Sequence, residues 1–195
     1  MTDGIFLIGD GQSELTDEDT RGLIPTHIST RGELYEIEQG NIAVAMLRQP
    51  PNVEQLLDEP YLRHFHRSMF NEVWRWAGTY RIRETNIGIE PSGIAIAVRN
   101  LVDDARAWVE YSTFDAHELA VRFHHRLVSI HPFPNGNGRH ARIAADYLLS
   151  GLDGSQFSWG ANLGLDTAGL RDKYLSALRS ADRGDISDLV RFARS

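Results

Sequence analysis

Apolar and polar positions follow a helical period over most of the chain. In the first such segment, residues 29–47, Ser29 or Thr30 can cap the start of a helix, and the prolines at positions 50 and 51 cannot continue it. Similar patterns predict helices within 53–76 and over 101–111, 116–130 and 139–150, and then two C-terminal helices separated by Gly184. The apolar stripe of the first segment consists of Leu34, Ile37, Ile42 and Met46.

One region interrupts the helical pattern. Residues 83–90 and 94–98 are short runs on either side of the turn-forming tripeptide Pro91-Ser92-Gly93, which predicts a β-hairpin over 84–98. The polar, turn-rich residues 1–28 predict an irregular arm that packs on a single domain formed by 29–195. The pattern therefore predicts a mainly α-helical bundle with one small β-hairpin.

Composition and charge narrow the functional classes. The chain has 195 residues, a formal net charge of −7 and a pI near 5.6, which counts against nucleic acid as a partner. It contains no cysteine, which excludes thiol nucleophiles and Cys-ligated zinc. Without a basic N-terminal region or an apolar run of ~18–20 residues, we expect a cytoplasmic protein with no membrane partner. The sequence does not distinguish a monomer from a homo-oligomer.

The stretch SIHPFPNGNGRHAR, residues 129–142, concentrates groups suited to phosphate. The proline after His131 stops the preceding helix, so the imidazole is expected at the mouth of a loop. Gly136 and Gly138 let a ligand approach the backbone at the start of the next helix, where N–H groups lack intrahelical partners. Arg139 and Arg142 lie three residues apart on one face of that helix. Two guanidinium groups beside such a helix start suit a polyphosphate.

This stretch resembles the signature of the Fic (Fic/Doc, or Fido) family, His-x-Phe-x-Asp/Glu-Gly-Asn-Gly-Arg-x-x-Arg. The segments WAGTYR, FHHRLVSIHPF and RDKYLSALRSADRGDISDLVRF are also similar to family segments, so that the resemblance covers about residues 30 to 193. The whole chain also resembles the subgroup called mobile mystery protein B. The family fold is a helical bundle with a β-hairpin flap. The matching signature positions are His131, Phe133, Gly136, Asn137, Gly138, Arg139 and Arg142.

The resemblance implies a protein adenylyltransferase that moves AMP from ATP to a Ser, Thr or Tyr hydroxyl of a target protein. His131 would be the general base, Arg139 would stabilise charge on the nucleotide, and Arg142 would hold the γ-phosphate. Phe133 would anchor the loop. The phosphate cradle would be formed by Gly136, Asn137 and Gly138. The flap that docks the target by strand addition would include Thr85, Asn86, Ile87, Gly88 and Ile89.

Position 135 departs from the family pattern. An Asp or Glu would bind the Mg²⁺ that accompanies the nucleotide, whereas Asn135 offers a neutral oxygen ligand. Three outcomes follow from this substitution: slow AMP transfer, transfer of a different phosphate-bearing group, or a catalytically silent Fic-fold protein that acts as a binding or antitoxin-like partner.

The first helix is a candidate inhibitory helix. In many Fic proteins a Ser/Thr-x-x-x-Glu-Gly/Asn motif supplies a glutamate that pairs with the second signature arginine. Ser29 and Glu33 have this spacing, although Leu34 replaces the Gly or Asn. A capping box explains the same glutamate without regulation. Glu36 and Glu38 are weaker candidates for the inhibitory role.

Overall fold

The computed structural model describes residues 20–195, and within them the fold is mainly α-helical, as predicted. Short 3₁₀ turns cover Pro91–Gly93 and Ala161–Leu163. Most of the predicted arm 1–28 lies outside the described residues, so its separation from the domain 29–195 stays a prediction. The α-helices are α1 Arg31–Met46, α2 Val53–Leu56, α3 Glu59–Phe70, α4 Ile94–Glu110, α5 Ala116–Ile130, α6 Asn137–Asp153, α7 Thr167–Asp182 and α8 Ser187–Arg194.

The centre of the bundle is the pair α5 and α6, which pack along each other on either side of the loop 131–136. Ala141, Ala144 and Ala145 of α6 are fully buried, and these small side chains let the neighbouring helices approach closely. Helix α4 packs on α5, α1 packs on α3, and α7 packs on α8. The signature loop therefore lies between two helices that the core holds rigidly.

Helix α1 buries a stripe that differs from the predicted one. Met46 is exposed, whereas Glu38 and Asn41 lie on the buried face. Asn41 bonds the backbone of Ser68 and Glu72, so its amide is satisfied there. A buried carboxylate at Glu38 places a charge inside the bundle, next to the signature loop.

The predicted β-hairpin over 84–98 is wrong. Residues 94–98 form the first turns of α4, and residues 84–90 contain no strand. Pro91 opens the 3₁₀ turn before α4, because proline is well tolerated in the first turn of a helix. The short apolar run IAIAV is ambiguous by itself. It continues with helical spacing into a buried stripe, which consists of Ile94, Val98, Leu101, Val102 and Ala105.

Residues 22–24 pair with the segment after α3. Ile24 N–H donates to the Val73 carbonyl at 2.9 Å, and Arg75 N–H donates to the Gly22 carbonyl at 2.8 Å. The predicted helical region 53–76 is in fact two helices, α2 and α3, followed by turns. Among residues 20–195, no helix combines the length and apolar character needed to cross a bilayer.

Candidate active site

His131 lies where the sequence predicted, at the C-terminal end of α5. Its backbone is left-handed (φ 54°, ψ 61°), which turns the chain sharply out of the helix. Only 5% of the residue is exposed. Burial, and then the nearby Arg81 guanidinium, lower the pKa of His131 to about 4. The imidazole is therefore neutral at pH 7 and able to accept a proton.

The loop after His131 is closed by the side chain of Asn137. Its Oδ1 accepts from Phe133 N–H at 2.9 Å, and its Nδ2 donates to the Phe133 carbonyl at 2.7 Å. The Asn137 amide is thus committed to the loop, and only its backbone remains for a phosphate. Phe133 is buried and stacks on His66 with ring centroids 3.7 Å apart, as expected for a loop anchor.

The side chain of His66, which belongs to α3, holds the middle of the loop 131–136. Gly78 N–H donates to His66 Nδ1 at 3.0 Å, so the neutral ring carries its proton on Nε2, which donates to the Asn135 carbonyl at 3.0 Å. Burial, with His140 and Arg139 nearby, lowers the pKa of His66 well below its ordinary value, which keeps this arrangement neutral. Gly136 follows with φ +80°, and a Cβ there would lie 2.5 Å from the Phe70 ring. The backbone at 135–136 is therefore held in place by the side chains of His66 and Phe70.

The first turn of α6 is open to a ligand. Gly136 is its N-cap without a side-chain cap, so the first N–H groups of the helix have no such partner. Apart from its chain neighbours and its own helix backbone, a Cβ placed on Gly138 would meet no atom of residues 20–195 within 4 Å. The packing of the described residues thus leaves space at Gly138, where an anion could approach the backbone.

Arg139 is paired with Glu38, a contact that crosses from α6 to α1. Arg139 Nη2 donates to Glu38 Oε2 at 2.7 Å, and the Glu38 side chain is only 4% exposed. Glu38 Oε1 accepts from Trp74 Nε1 at 2.6 Å and lies 3.5 Å from Asn135 Nδ2. Arg139 Nη1 is buried and has no hydrogen-bond partner among the described residues. The guanidinium therefore retains a donor for a further oxygen.

Arg142 lies one turn further along α6. Its guanidinium carbon is 5.6 Å from the centre of the Tyr174 ring, in cation–π geometry. Asp146 on the same helix is largely buried, which raises its pKa to about 6 in spite of hydrogen bonds from Trp159 and Phe157 and the charge of Arg142. Within residues 20–195, no carboxylate forms an ion pair with Arg142.

The predicted inhibitory residue Glu33 forms no ion pair with Arg142 among the described residues, because its carboxylate is bonded to the start of its own helix. Its Oε2 accepts from Ser29 N–H at 2.8 Å and from Thr30 N–H at 3.0 Å, while Thr30 Oγ1 accepts from Glu33 N–H. These bonds, that from Ser29 N–H first, lower the pKa of Glu33. Glu33 is thus the capping-box residue that the sequence left as the alternative. Glu38, five residues later, is the glutamate that meets a signature arginine.

The predicted docking residues 85–89 lie beside His131, although they do not form a hairpin. Exposure alternates along the chain, with positions 82, 84, 86, 88 and 90 exposed and the positions between them partly covered. Thr85 Oγ1 donates to the Ile87 carbonyl at 2.5 Å.

Arg81 and His66, which organise the signature loop, were not predicted from the sequence. The only signal for Arg81 was its place at the end of WAGTYR.

Comparison with known proteins bears on the same residues. The model described as the Fic/DOC family matches residues 56–149, which span α3 to most of α6. A Fido domain-containing protein of Dictyostelium discoideum is 31% identical over 110 residues, which cover 54% of this chain and 72% of that protein.

Two further relatives carry activities in their names. A probable protein adenylyltransferase of Aquifex aeolicus is 34% identical over 100 residues, or 50% of this chain and 28% of that protein. A uridine 5'-monophosphate transferase of Xanthomonas campestris is 46% identical over 50 residues, or 22% of this chain and 9% of that protein. The chain thus spans about a quarter and about a tenth of the length of these two relatives.

Solved structures share the fold at low identity. The N-terminal Fic domain of a Bartonella quintana effector with bound ADP superposes with a TM-score of 0.67 at 19% identity, covering 87% of this chain and 86% of that one. The BepC protein of Bartonella tribocorum with bound AMPPNP gives 0.66 at 18% identity, covering 92% and 97%.

Proposed function

The chain belongs to the Fic/DOC family, and from this premise we propose that it is a protein adenylyltransferase, which transfers AMP from ATP to a Ser, Thr or Tyr hydroxyl of a target protein. One observation carries the proposal: a buried, neutral His131 faces the same loop as an uncapped helix start and two arginines. A base and a polyphosphate site on one rigid loop are what such a transfer requires.

In the proposed reaction, the target hydroxyl oxygen forms a bond to the α-phosphorus of ATP. The bond from the α-phosphorus to the oxygen bridging to the β-phosphorus breaks, pyrophosphate leaves, and the hydroxyl proton passes to His131. The imidazolium then loses this proton to solvent. The bound phosphates would raise the pKa of His131 from its low value, because nearby negative charge favours the imidazolium, and they would make it a stronger base.

The phosphates would lie against the first turn of α6. The N–H groups at Gly138 and Arg139 are near the N-terminus of that helix, and Arg139 Nη1 has no partner among the described residues. Arg142 is free of carboxylates in the described part of the chain and would reach the γ-phosphate.

The site does not fit a metal ion held by the protein alone. No group of three or more His, Asp or Glu within 20–195 could hold one. Asn135 Oδ1 accepts from Gly136 N–H at 2.7 Å, and its Nδ2 faces Glu38. We therefore derive no step from a protein-held metal, and Mg²⁺ stays a prediction as a companion of the ATP phosphates.

Glu38 would inhibit the enzyme by competing with the nucleotide donor for Arg139. Its carboxylate holds Arg139 as a phosphate would, so a donor must displace it. The buried pair is also anchored by Trp74, which makes it a stable competitor. This inhibition replaces the predicted one by Glu33, with a different glutamate and the first signature arginine.

Transfer of UMP is the second candidate. It is favoured by the identity to the Xanthomonas relative, which is a uridine 5'-monophosphate transferase. The site residues described above address phosphates and a hydroxyl, and these are common to both nucleotides.

The test is to incubate the protein and its Glu38→Gln variant with each α-labelled nucleoside triphosphate and Mg²⁺ or Mn²⁺, and to look for label on the protein itself and on lysate proteins. We expect label from ATP, lost by ~10²–10⁴-fold in His131→Ala, whose nucleotide affinity stays near the parent value. Label from UTP alone would support the second candidate. Nucleotide binding without label under any condition would identify a silent binding protein.

A further inference from the structure

Arg81 is a buried cation whose hydrogen bonds go to the backbone. Only 5% of the residue is exposed. Nε donates to the His131 carbonyl at 2.7 Å, and Nη1 donates to the Arg83 carbonyl at 2.8 Å. Nη2 donates to the carbonyls of Ile89 and Ile130, the latter at 3.4 Å. A buried charge satisfied by four carbonyl oxygens is a costly arrangement, which fixes the geometry of all four.

The four carbonyls belong to two separate parts of the chain. Those of Ile130 and His131 end α5, where carbonyls lack intrahelical partners and attract a cation. Those of Arg83 and Ile89 lie at the two ends of the segment 83–89, which includes the predicted docking residues. One guanidinium thus closes the docking segment and ties it to the backbone of His131.

Direct packing reinforces the link. Gly88 has φ +103°, and a Cβ on it would lie 2.6 Å from the Cβ of His131 and 2.7 Å from Nη2 of Arg81. Ile89 N–H also donates to the Ile130 carbonyl at 3.4 Å. The segment therefore cannot shift toward His131 without moving either the imidazole or the guanidinium.

We propose that Arg81 is a positioning residue that couples the docking segment 83–89 to His131, so that a target strand bound to the segment sets the place of the base. The proposal rests on the proposed function. A target strand bound to 83–89 would order the backbone of this segment, and the Arg81 bonds would pass that order to His131.

Arg81→Met tests the coupling without any activity measurement. Hydrogen exchange is followed by mass spectrometry over 83–89 and 130–133, and His131 is titrated by NMR with the His131→Ala spectrum as assignment. We expect exchange to become at least ~10-fold faster in both segments, since bonds to a charged donor are lost. The midpoint of His131 should rise toward its ordinary value, because a nearby positive charge is removed.

Arg63→Met is the matched control. Arg63 Nε also donates to a backbone carbonyl, that of Gly78 at 3.2 Å, and its guanidinium lies over Tyr80. This variant should leave exchange over 83–89 and the His131 midpoint at parent values. Equal changes in both variants, or none in Arg81→Met, would overturn the coupling.

Arg81→Lys separates position from charge. The ammonium keeps the positive charge but cannot bond four carbonyls in fork geometry. We expect the His131 midpoint to stay low while exchange over 83–89 is faster. If Arg81→Met fails to fold, Gly88→Ala decides instead, since the added methyl must displace His131 or Arg81. Unchanged exchange at 130–133 in that variant would refute the proposal.

Kinetics add a readout that a purely structural role would not move. With a labelled target, kcat of Arg81→Lys should fall at least ~10-fold while KM for ATP stays constant, because the phosphates bind at the other end of the loop. If the parent transfers no label, the proposed function fails, whereas exchange and titration still decide the coupling.

Discussion

The two ends of the signature loop hold their positive charges in different ways. At the His131 end, Arg81 is bonded to backbone carbonyls, which belong to the fold and cannot leave. At the other end, Arg139 is bonded to the carboxylate of Glu38, a side chain that can be replaced by another anion. The first end is suited to fix a base, and the second is suited to exchange ligands.

The largest effect should come from removing the charge of Glu38. Glu38→Gln keeps an acceptor for Trp74 Nε1 but breaks the ion pair with Arg139. The loss of a charge-assisted bond of about 1.5–3 kcal/mol should raise ATP affinity by roughly one to two orders of magnitude. Isothermal titration gives the affinity, and nucleotide should raise the melting temperature of the variant more than that of the parent.

Glu33→Gln is the control on the same helix. Glutamine can keep the capping-box bond of Glu33 but removes the negative charge that stabilises the first turn, so this variant should lower the melting temperature only slightly and leave ATP affinity unchanged. If Glu38→Gln instead weakens ATP binding, Glu38 supports Arg139 rather than competing with phosphate, and the inhibitory role is refuted.

Arg142 lies at the Arg139 end of the loop and would bind the γ-phosphate of ATP. Arg142→Ala should weaken ATP binding about tenfold and AMP binding much less, because only ATP presents a γ-phosphate to this guanidinium. Fluorescence titration of both nucleotides measures the difference. Arg126→Ala, which removes a half-buried arginine on the surface of α5 that is paired with Asp104, should change neither affinity. Equal losses for ATP and AMP in Arg142→Ala would place the guanidinium elsewhere.

The buried histidines should make the free energy of unfolding depend on pH below neutrality. Burial lowers the pKa of four histidines, which are His66, His124, His131 and His140. Their folded pKa values lie below the unfolded one, so unfolding takes up protons and stability falls as pH drops from about 6.5 to 4. Each contributes up to about 1.4 kcal/mol per pH unit. Asp146, with its pKa raised to about 6, acts in the opposite sense and is a single group.

Denaturant unfolding at several pH values measures this slope. His140→Gln should reduce the slope by about one proton, because that ring is fully buried and bonded only to the Leu62 carbonyl in the described structure. The exposed His64→Gln should leave the slope unchanged. A parent slope near zero over this range would show that the buried rings are protonated without unfolding.

The signature loop could be predicted from the sequence because the residues that determine its conformation are neighbours along the chain. Pro132, the two glycines and the arginines act on their own neighbours, so their roles in stopping one helix and opening the next follow from order along the chain. The site residues supplied by distant segments were not predictable in the same way. Arg81 and His66 meet the loop only after folding, across 50 and 69 residues.

Helix α1 shows where local reasoning failed. Glu33 matched a motif spacing, yet the backbone N–H groups of its own first turn satisfy it. Glu38 lies on the buried face, and the signal available in the sequence was its spacing of four residues from both Leu34 and Ile42, which places it in the apolar stripe. Likewise, IAIAV has too few residues to separate strand from helix until its stripe is followed into 101–105.

The smallest expected effect lies at Asn135, between the two ends. In Asn135→Asp one oxygen can keep the bond from Gly136 N–H, while the other replaces the Nδ2 that lies 3.5 Å from Glu38 Oε1. Repulsion between these carboxylates of about 0.5–1 kcal/mol should release Glu38 from Arg139 and raise ATP affinity a few-fold without divalent ions. In the Glu38→Gln background the repulsion is absent, so the same substitution should give no gain without divalent ions.

With Mg²⁺ present, Asn135→Asp should lower the Mg²⁺ requirement in both backgrounds, because the added carboxylate favours a hard cation beside the phosphates. The four proteins form a double-mutant cycle, titrated with ATP with and without Mg²⁺. Additive affinities without metal would show that Asn135 and Glu38 do not act on each other, and that Glu38 is displaced by the donor alone.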